Sequence, residues 1–216
     1  MREEQRMPTE QEIDRALQER HTKERHQKIK AARVAVAGLG GLGSNIALLL
    51  ARAGVGTLHL VDFDRVDISN LNRQAYEIRD LGRFKTEALT EHIRRINPYI
   101  KVYTDTVRVT RENIPDLFGQ ERWICEAFDR ADQKAMLVNA LLEHCREAVI
   151  VSGSGMAGYG SSNLIQTKRK MGRLYLCGDE KSDISDGMCL MAPRVAVCAA
   201  HQANMALRLI LGEREA

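Results

Sequence analysis

Four glycines between a short apolar run and a helical stretch form a backbone that could bind a phosphate. The apolar run is VAVA, residues 34–37, and the glycines are Gly38, Gly40, Gly41 and Gly43 in the sequence GLGGLG. A short apolar run ended by glycine is typical of a strand buried on both faces of a parallel sheet. Without side chains in the turn, a phosphate can approach N–H groups at the positive end of the following helix. We expect an anion site here, with Ser44 capping the helix.

A carboxylate at the end of the next predicted strand strengthens this interpretation. The strand is TLHLV, residues 57–61, and Asp62 follows it, about 20 residues after the glycines, where a strand-end acid can accept both hydroxyls of a ribose. A GxGxxG sequence alone is weak evidence. The order strand, glycine loop, helix, strand and acid predicts a nucleotide-binding unit.

A polar stretch after Asp62 supplies further candidate ligands. Residues 63–76, FDRVDISNLNRQAY, are too polar for a buried element and too varied for a simple linker. We interpret them as a second wall facing the nucleotide. Lys85 follows in the first turn of a predicted helix over residues 84–96. The polar members of this wall are Asp64, Asp67, Ser69, Asn70, Asn72, Arg73 and Gln74.

Asp129 follows a predicted central strand, WICEAF, over residues 123–128. Because ligands collect beyond the carboxyl ends of parallel strands, Asp62 and Asp129 should lie on one edge of the sheet, close to the glycine loop. Arg73 and Lys85 could neutralise phosphates, and Asp129 could hold magnesium. This set favours nucleoside triphosphate chemistry over dinucleotide redox chemistry, and we interpret His59 as a strand residue. No GxxxxGK[ST] sequence occurs, which excludes a P-loop enzyme.

Length and composition indicate one substantial α/β domain. The chain has 216 residues and a net charge of +3, too balanced for nucleic acid as the main partner. No apolar run is long enough for a membrane span and the first residues lack a secretory core, so we predict a cytoplasmic protein without a membrane partner. Five cysteines without a CxxC pair fit neither a disulfide framework nor a four-thiolate zinc site.

The two ends of the chain carry further predicted elements. Residues 1–30 are rich in both charges, and Thr9 with Glu12 forms a capping box that predicts a helix. This arm either lies along its own domain or reaches a dimer partner, and Arg20 and Arg25 are the residues that it could deliver to a phosphate. Near the other end, residues 163–167 and 173–177 predict a hairpin with the basic triplet 168–170 at its tip, before a final helix over residues 193–211. The triplet is either solvated turn charge or a docking patch for an acidic partner.

Several motifs together resemble a known superfamily. GLGGLG, VDFD, SNLNRQ, GRFK, INP and the strand ending in FD are similar to the ubiquitin-activating-enzyme superfamily, in its small bacterial ThiF, MoeB and HesA branch. WICEAFD, SGMAGYGSSN and LMAPRVAVCAAHQAN are most similar to the short ThiF type that serves the sulfur carrier ThiS. The resemblance covers about residues 30–211. It implies a Rossmann-like, mostly parallel sheet with helices on both faces and a C-terminal antiparallel hairpin, as one adenylation domain over residues 31–216.

The resemblance also implies a reaction and a set of site residues. It implies MgATP-dependent adenylation of the C-terminal glycine of a ubiquitin-fold sulfur carrier ending in Gly-Gly, in thiamine biosynthesis, by a homodimer. Gly38, Gly40, Gly41 and Gly43 would form the nucleotide loop, with Gly41 touching phosphate. Asp62 would hold the ribose, and Asp64, Ser69, Asn70, Arg73 and Lys85 would complete the nucleotide site. Asp129 would bind magnesium, Arg20 would come from the partner subunit, and Cys189 would bond covalently to the carrier.

Departures and alternatives accompany the resemblance. Many relatives carry two CxxC pairs that bind structural zinc, whereas this chain has none, so no structural zinc is expected. Arg130 stands where asparagine is usual. Cys189 could instead be a packed thiol beside Leu190. The acceptor could be a small-molecule or tRNA-linked carboxylate, the chain could be a nucleotide-binding module without turnover, and an NAD-dependent oxidoreductase is the remaining alternative.

Overall fold

Two helices precede the sheet in the computed structural model, which describes residues 6–184 and 187–216. They are α1 (Glu10–His21) and α2 (Lys23–Ala31). The Thr9 hydroxyl accepts a hydrogen bond from the Glu12 N–H, and the Glu12 carboxylate accepts one from the Thr9 N–H at 2.8 Å. The predicted capping box is therefore confirmed.

Seven strands form one sheet within the described residues. Their order is β3-β2-β1-β4-β5-β7-β6, and every neighbouring pair is parallel except β7 and β6. This confirms the predicted mostly parallel α/β sheet with a C-terminal antiparallel hairpin. The strands are β1 (Arg33–Ala37), β2 (Thr57–Val61), β3 (Lys101–Asp105), β4 (Trp123–Glu126), β5 (Val149–Gly153), β6 (Gln166–Met171) and β7 (Leu174–Gly178).

The basic triplet is not at the tip of the hairpin, and this prediction was wrong. Lys168, Arg169 and Lys170 lie within β6, and the chain reverses beyond them at Gly172, which adopts a φ of 38°. Glycine tolerates this left-handed conformation because it lacks a Cβ atom. The turn residue, not the run of charges, sets where the strand ends.

Helices cover both faces of the sheet because β1 is apolar on both of its faces. On one face Val34 and Val36 pack in the same core as α3 (Gly41–Arg52), α4 (Lys85–Ile96) and α7 (Ala192–Leu211). On the other, Ala35 and Ala37 pack with α5 (Ile114–Phe118) and α6 (Ala131–His144). Across residues 6–184 and 187–216, no helix has the length and apolarity needed to cross a bilayer.

The order in which the strands are added to the sheet reverses between β1 and β4. The chain passes from β1 to β2 on one side, whereas β4 lies on the other side of β1. Open parallel sheets bind ligands at the carboxyl ends of the strands on either side of such a point. The glycine loop after β1 is thereby placed between the loops that follow β2 and β4.

His59 belongs to a buried ionic network within the sheet. Its Nδ1 lies 2.7 Å from Glu121 Oε1 and its Nε2 lies 2.7 Å from Asp105 Oδ2, while Arg33 Nε donates to Glu121 at 2.8 Å. Burial alone would lower the pKa of His59, but the two carboxylates raise it above its ordinary value. The interpretation of His59 as a strand residue is confirmed, because both ring nitrogens contact structural partners.

Candidate active site

A cavity of about 460 Å³ lies at the carboxyl ends of the parallel strands. Its walls come from the glycine loop, from the loops after β2, β3, β4 and β5, and from residues 182–184. The predicted proximity of Asp62 and Asp129 to the glycine loop is confirmed, because all three line this one cavity. The predicted site residues that line it are Gly38, Gly40, Gly41, Asp62, Asp64, Arg73, Lys85 and Asp129.

The glycine loop forms the start of α3. Gly40 is the N-cap and the helix begins at Gly41, so the prediction that Ser44 caps the helix was wrong. Ser44 lies one turn inside the helix, where its hydroxyl donates to the Gly40 carbonyl at 2.7 Å and accepts from the Ala75 N–H at 3.0 Å. The hydroxyl thereby joins the glycine loop to the polar stretch that follows β2.

Backbone N–H groups of this loop are free to bind an anion. Among the described residues, no group accepts a hydrogen bond from the N–H of Gly40, Gly41 or Leu42. A Cβ atom added at Gly40 would meet only Gln74 Nε2, at 3.9 Å. Orphan N–H groups at a helix N-terminus, with open space in front of them, are suited to bind a phosphate.

Gly43 has a different role from the other glycines of the loop. A Cβ atom at this position would lie 1.8 Å from the Gly38 carbonyl oxygen. The residue does not line the cavity. Its missing side chain lets α3 approach the end of β1, so its part in nucleotide binding is to shape the loop.

Asp62 holds the glycine loop in place. Its Oδ2 accepts from the Leu39 N–H at 2.6 Å, and its Oδ1 accepts from the Asp64 N–H at 2.7 Å. Burial raises the pKa of Asp62, although Lys85 and these two N–H groups act in the opposite direction. A carboxylate at the end of β2 with its oxygens turned toward the loop is placed where a ribose would meet it.

Lys85 is a buried cation beside the same strand end. Its side chain is 6% exposed, and its Nζ donates to Asp64 Oδ2 at 2.9 Å. Asp64 is half exposed to solvent at the cavity wall. An arriving phosphate would meet a lysine that the protein already holds in the cavity.

Arg73 reaches the glycine loop from the polar stretch after β2. Its Cγ lies 3.5 Å from the position that a Cβ of Gly41 would take, and its Nη1 donates to the Ser69 carbonyl at 3.1 Å. Its Nε is buried, and no described residue accepts a hydrogen bond from it. A buried guanidinium N–H without an acceptor, beside unpartnered backbone N–H groups, fits a phosphate ligand.

Ser69 and Asn70 do not line the cavity. The Ser69 N–H and hydroxyl both donate to Asp67 Oδ1, and Asn70 Oδ1 accepts from the Asp67 N–H. These contacts form a short 3-10 turn whose Ser69 carbonyl binds Arg73. Both residues thus belong to the turn that supports Arg73, and neither lines the cavity.

Asp129 is an exposed carboxylate at the cavity wall. Within the described part of the chain, it makes no hydrogen bond or ion pair, whereas its neighbour Arg130 pairs with Asp132 at 2.9 Å. No group of three or more metal-binding side chains is present among these residues. One free carboxylate beside a phosphate cradle fits Mg²⁺, which is commonly bound through one or two carboxylates together with substrate phosphates.

Arg20 and Cys189 lie outside the cavity lining. Arg20 is exposed on α1, and that helix packs through Leu17 against Gly54, at the amino end of β2. The cavity of the same chain lies at the opposite, carboxyl end of β2. Cys189 is exposed, and its carbonyl accepts from the Gly158 N–H at 2.7 Å. The next residue, Leu190, does line the cavity.

The loop that forms the wall at residues 182–184 is held by one carboxylate. Asp179 Oδ1 accepts from the N–H groups of Lys181 and Ser182, and its Oδ2 accepts from Arg194 Nη2 at 2.6 Å. The Asp179 and Arg194 side chains are only 9% and 5% exposed. Burial alone would raise the pKa of Asp179, but the hydrogen bonds from Ser182, Lys181 and Arg194 lower it to about 2.

Replacing Asp179 by asparagine is expected to destabilise the protein in a pH-dependent way. Because its folded pKa lies below its unfolded value, Asp179 stabilises the fold above pH ~4 by about 2 kcal/mol and loses this effect as the pH falls toward 2. Urea unfolding of wild type and Asp179→Asn from pH 7 to pH 3 measures the difference. Glu143→Gln, which removes an exposed pair with Arg111, is the control and should change stability little. A difference that does not shrink with acidification would contradict this assignment.

The profile of the ThiF family matches residues 13–216. The chain belongs to the ThiF family. Among curated relatives, this ThiF-family chain is 45% identical over 104 residues to the "Probable adenylyltransferase/sulfurtransferase MoeZ" of Mycobacterium tuberculosis, covering 48% of the chain and 26% of the relative. It is 34% identical over 151 residues to the adenylyltransferase and sulfurtransferase UBA4 of Scheffersomyces stipitis, covering 69% of the chain and 33% of the relative. The matched segment thus spans a third or less of these relatives.

Solved structures share the fold of the ThiF-family chain. The E. coli tRNA N6-threonylcarbamoyladenosine dehydratase TcdA, in complex with ATP, superposes with a TM-score of 0.83 at 22% identity, covering 95% of this chain and 97% of the other. E. coli MccB with AMPCPP and MccA superposes with a TM-score of 0.68 at 23% identity, covering 88% and 59%. These similarities confirm the predicted architecture.

Two cations of the ThiF-family chain that line the cavity, Lys134 and Arg108, were not predicted. Lys134 lines it from the first turn of α6, and Arg108 lines it from the loop after β3, with its guanidinium 5.5 Å from the ring centroid of Phe63, a member of the predicted polar wall. Each follows the carboxyl end of a strand. The rule that located Asp62 and Asp129 could therefore have found them, had it been applied to residues well beyond the strand ends.

Proposed function

We propose that the protein is an ATP-dependent adenylyltransferase that activates the C-terminal glycine of a ubiquitin-fold sulfur carrier, ThiS-like and serving thiamine biosynthesis. The observation that carries the proposal is the convergence of unpartnered loop N–H groups, the free Arg73 Nε, Lys85 and the free Asp129 carboxylate on one cavity. Membership of a family whose relatives MoeZ and UBA4 are named adenylyltransferases supports it.

The reaction joins the carrier's carboxylate to the α-phosphorus of ATP. A carboxylate oxygen attacks that phosphorus, the bond to the bridging oxygen of the β-phosphate breaks, and pyrophosphate leaves with the electron pair. The carboxylate is already a nucleophile, so the protein must position the reactants and neutralise charge and needs no general base. This agrees with a site that presents cations and backbone N–H groups to the phosphates.

Each cavity residue then has a defined task. The loop N–H groups and Arg73 bind phosphate oxygens, and Lys85 neutralises the negative charge that develops on them. Asp62 accepts the ribose hydroxyls. Asp129 would hold a magnesium ion, which when bound offsets phosphate charge. Cys189, exposed and adjacent to the cavity-lining Leu190, is the thiol that we assign to later sulfur transfer and not to adenylation.

Pyrophosphate exchange tests the proposal directly. Labelled pyrophosphate should enter ATP only when the protein is given a sulfur carrier ending in Gly-Gly, and a carrier lacking its last glycine should give none. Exchange is the appropriate readout because it reports reversible adenylate formation alone. ATP that binds but never exchanges would instead favour a nucleotide-binding module, and preferential NAD binding would favour a redox function.

A tRNA-linked carboxylate is the second candidate acceptor. The similarity of fold to TcdA, a tRNA N6-threonylcarbamoyladenosine dehydratase, favours this alternative. Supplying tRNA that bears the carboxylate in place of the carrier separates the two, because only the true acceptor should drive turnover of ATP.

We further propose that the protein acts as a homodimer in which Arg20 of one copy completes the site of the other. If so, mixing the inactive variants Arg20→Ala and Asp129→Ala should restore about a quarter of wild-type exchange, because half of the reassorted dimers contain one intact site. Exchange measured after subunit mixing checks this. Mixing Arg73→Ala with Asp129→Ala is the control and should restore nothing, since both residues line the same cavity. Equal results for the two mixtures would exclude a contribution of Arg20 in trans.

A further inference from the structure

A carboxylate without solvent exposure lies beneath the cavity at the end of β4. Glu126 is 0% exposed, and it accepts three hydrogen bonds. Its Oε1 accepts from the Phe128 N–H at 2.7 Å, and its Oε2 accepts from Lys134 Nζ at 2.8 Å and from the Ser152 hydroxyl at 2.5 Å. Both oxygens are therefore fixed, one by the chain that leads to Asp129 and one by two neighbouring elements.

Lys134 forms a second link between the Glu126 carboxylate and the segment that leads to Asp129. Its Nζ also donates to the Phe128 carbonyl at 3.0 Å, and its side chain lines the cavity. The N–H of Phe128 is thus held by Glu126, and its carbonyl is held by Lys134. Asp129 is the next residue, so both polar groups of the preceding residue are fixed by one ion pair.

Gln202 of α7 fixes the strand ends below this pair. Its Nε2 donates to the Glu126 carbonyl at 2.9 Å and to the Val151 carbonyl at 3.0 Å, and the residue is fully buried. The ends of β4 and β5 are thereby held together. Motion of the segment that carries Asp129 would therefore have to break contacts from α6, β5 and α7.

We propose that Glu126, Lys134 and Ser152 form a positioning unit that fixes the carboxylate of Asp129 for a phosphate-bound metal ion. The inference rests on the proposed function, which assigns magnesium to Asp129. None of the three residues is assigned contact with the metal. They act through the backbone on either side of Phe128.

Removing the lysine charge should displace Asp129 and not merely weaken the fold. Glu126 would be left as a buried charge without its cation. Such a charge either draws water into the protein or moves toward solvent. The Phe128 carbonyl would lose its donor at the same time. Partners that orient a metal ligand typically change metal affinity by about 10–100-fold when they are removed.

The test compares ATP binding with and without magnesium by calorimetry, with no carrier present. The reference is Asp129→Ala, which should remove the gain in ATP affinity that Mg²⁺ gives to wild type. Lys134→Met should lose about tenfold of that gain, taken as the ratio of its own affinities with Mg²⁺ and in EDTA, so that any direct effect of the lost cavity cation on ATP cancels. Lys134→Arg, which keeps a cation, should retain most of it.

Arg33→Met is the control for removing a cation from a buried carboxylate elsewhere in the fold. Arg33 binds Glu121, whose side chain is also 0% exposed, but neither residue lines the cavity. The variant should lose stability as Lys134→Met does and keep the full magnesium effect. If Lys134→Met does not fold by circular dichroism, Ser152→Ala decides, and it should lose several-fold of the magnesium effect.

The outcomes distinguish a failure of the positioning unit from a failure of the metal assignment of Asp129. An unchanged magnesium effect in folded Lys134→Met, or in Ser152→Ala where the lysine variant does not fold, overturns the positioning unit. An equal loss in Arg33→Met overturns it as well, because the effect would then follow stability and not position. An unchanged magnesium effect in Asp129→Ala removes the metal assignment of the proposed function, a result that can be recognised independently of Lys134.

Discussion

Replacing Asp129 by alanine is expected to reduce carrier-dependent pyrophosphate exchange by about 100-fold or more, because the cavity would lose the free carboxylate proposed to hold the metal ion. The expected loss is in the rate of the reaction and not in the stability of the fold. Asp129 is exposed and makes no hydrogen bond or ion pair in the described part of the chain, so its removal should leave the urea unfolding midpoint almost unchanged. Exchange rates measured over a range of Mg²⁺ concentrations check the prediction.

Asp132→Ala is the matched control for this experiment. Asp132 is also an exposed aspartate near the start of α6, but it pairs with Arg130 and does not line the cavity. Its replacement should leave exchange within about twofold of wild type, since exposed ion pairs contribute little. If both variants exchanged at the wild-type rate, the assignment of Asp129 to the reaction would be wrong.

Alanine at Gly43 is expected to destabilise the protein by about 3 kcal/mol, because the added methyl group would lie 1.8 Å from the Gly38 carbonyl oxygen. That oxygen belongs to the backbone and cannot rotate away, so α3 would have to move from β1. Urea unfolding at neutral pH measures the effect, which should appear as a lower midpoint with an unchanged slope.

Gly40→Ala is the paired variant with the opposite expected behaviour. A methyl group here meets only Gln74 Nε2 at 3.9 Å, so the fold should lose no more than about 1 kcal/mol. The methyl group would occupy space in front of the free N–H groups, and ATP affinity should fall about tenfold or more. Comparable losses of stability in both variants would contradict the separation of a packing glycine from a phosphate-binding one.

Features of the fold and site that depend on a single strand or helix could be predicted from the local sequence. The apolar run of β1 predicted a strand buried on both faces, and acids after strands predicted that Asp62 and Asp129 would share an edge. Both predictions are confirmed, because strand ends and sheet faces follow from hydrophobic pattern and chain direction.

Contacts between distant segments could not be predicted in the same way. Ser69 and Arg73 lie in the same polar stretch, and nothing in their composition shows that one faces a turn and the other the glycine loop. Lys134 resembles any lysine in the first turn of a helix until Glu126 is placed beside it. Such assignments depend on tertiary neighbours that a single sequence does not display.

The basic side chains of β6 have a consequence for the behaviour of the protein at high concentration. β6 is the outermost strand on its side of the sheet, and an outer strand can join a strand of another molecule edge to edge. Lys168 and Lys170 on this strand pair with Glu180, and Arg169 bonds the Gly172 carbonyl. An approaching strand would have to displace or bury these charges. The charges therefore disfavour self-association at this edge and the formation of extended aggregates.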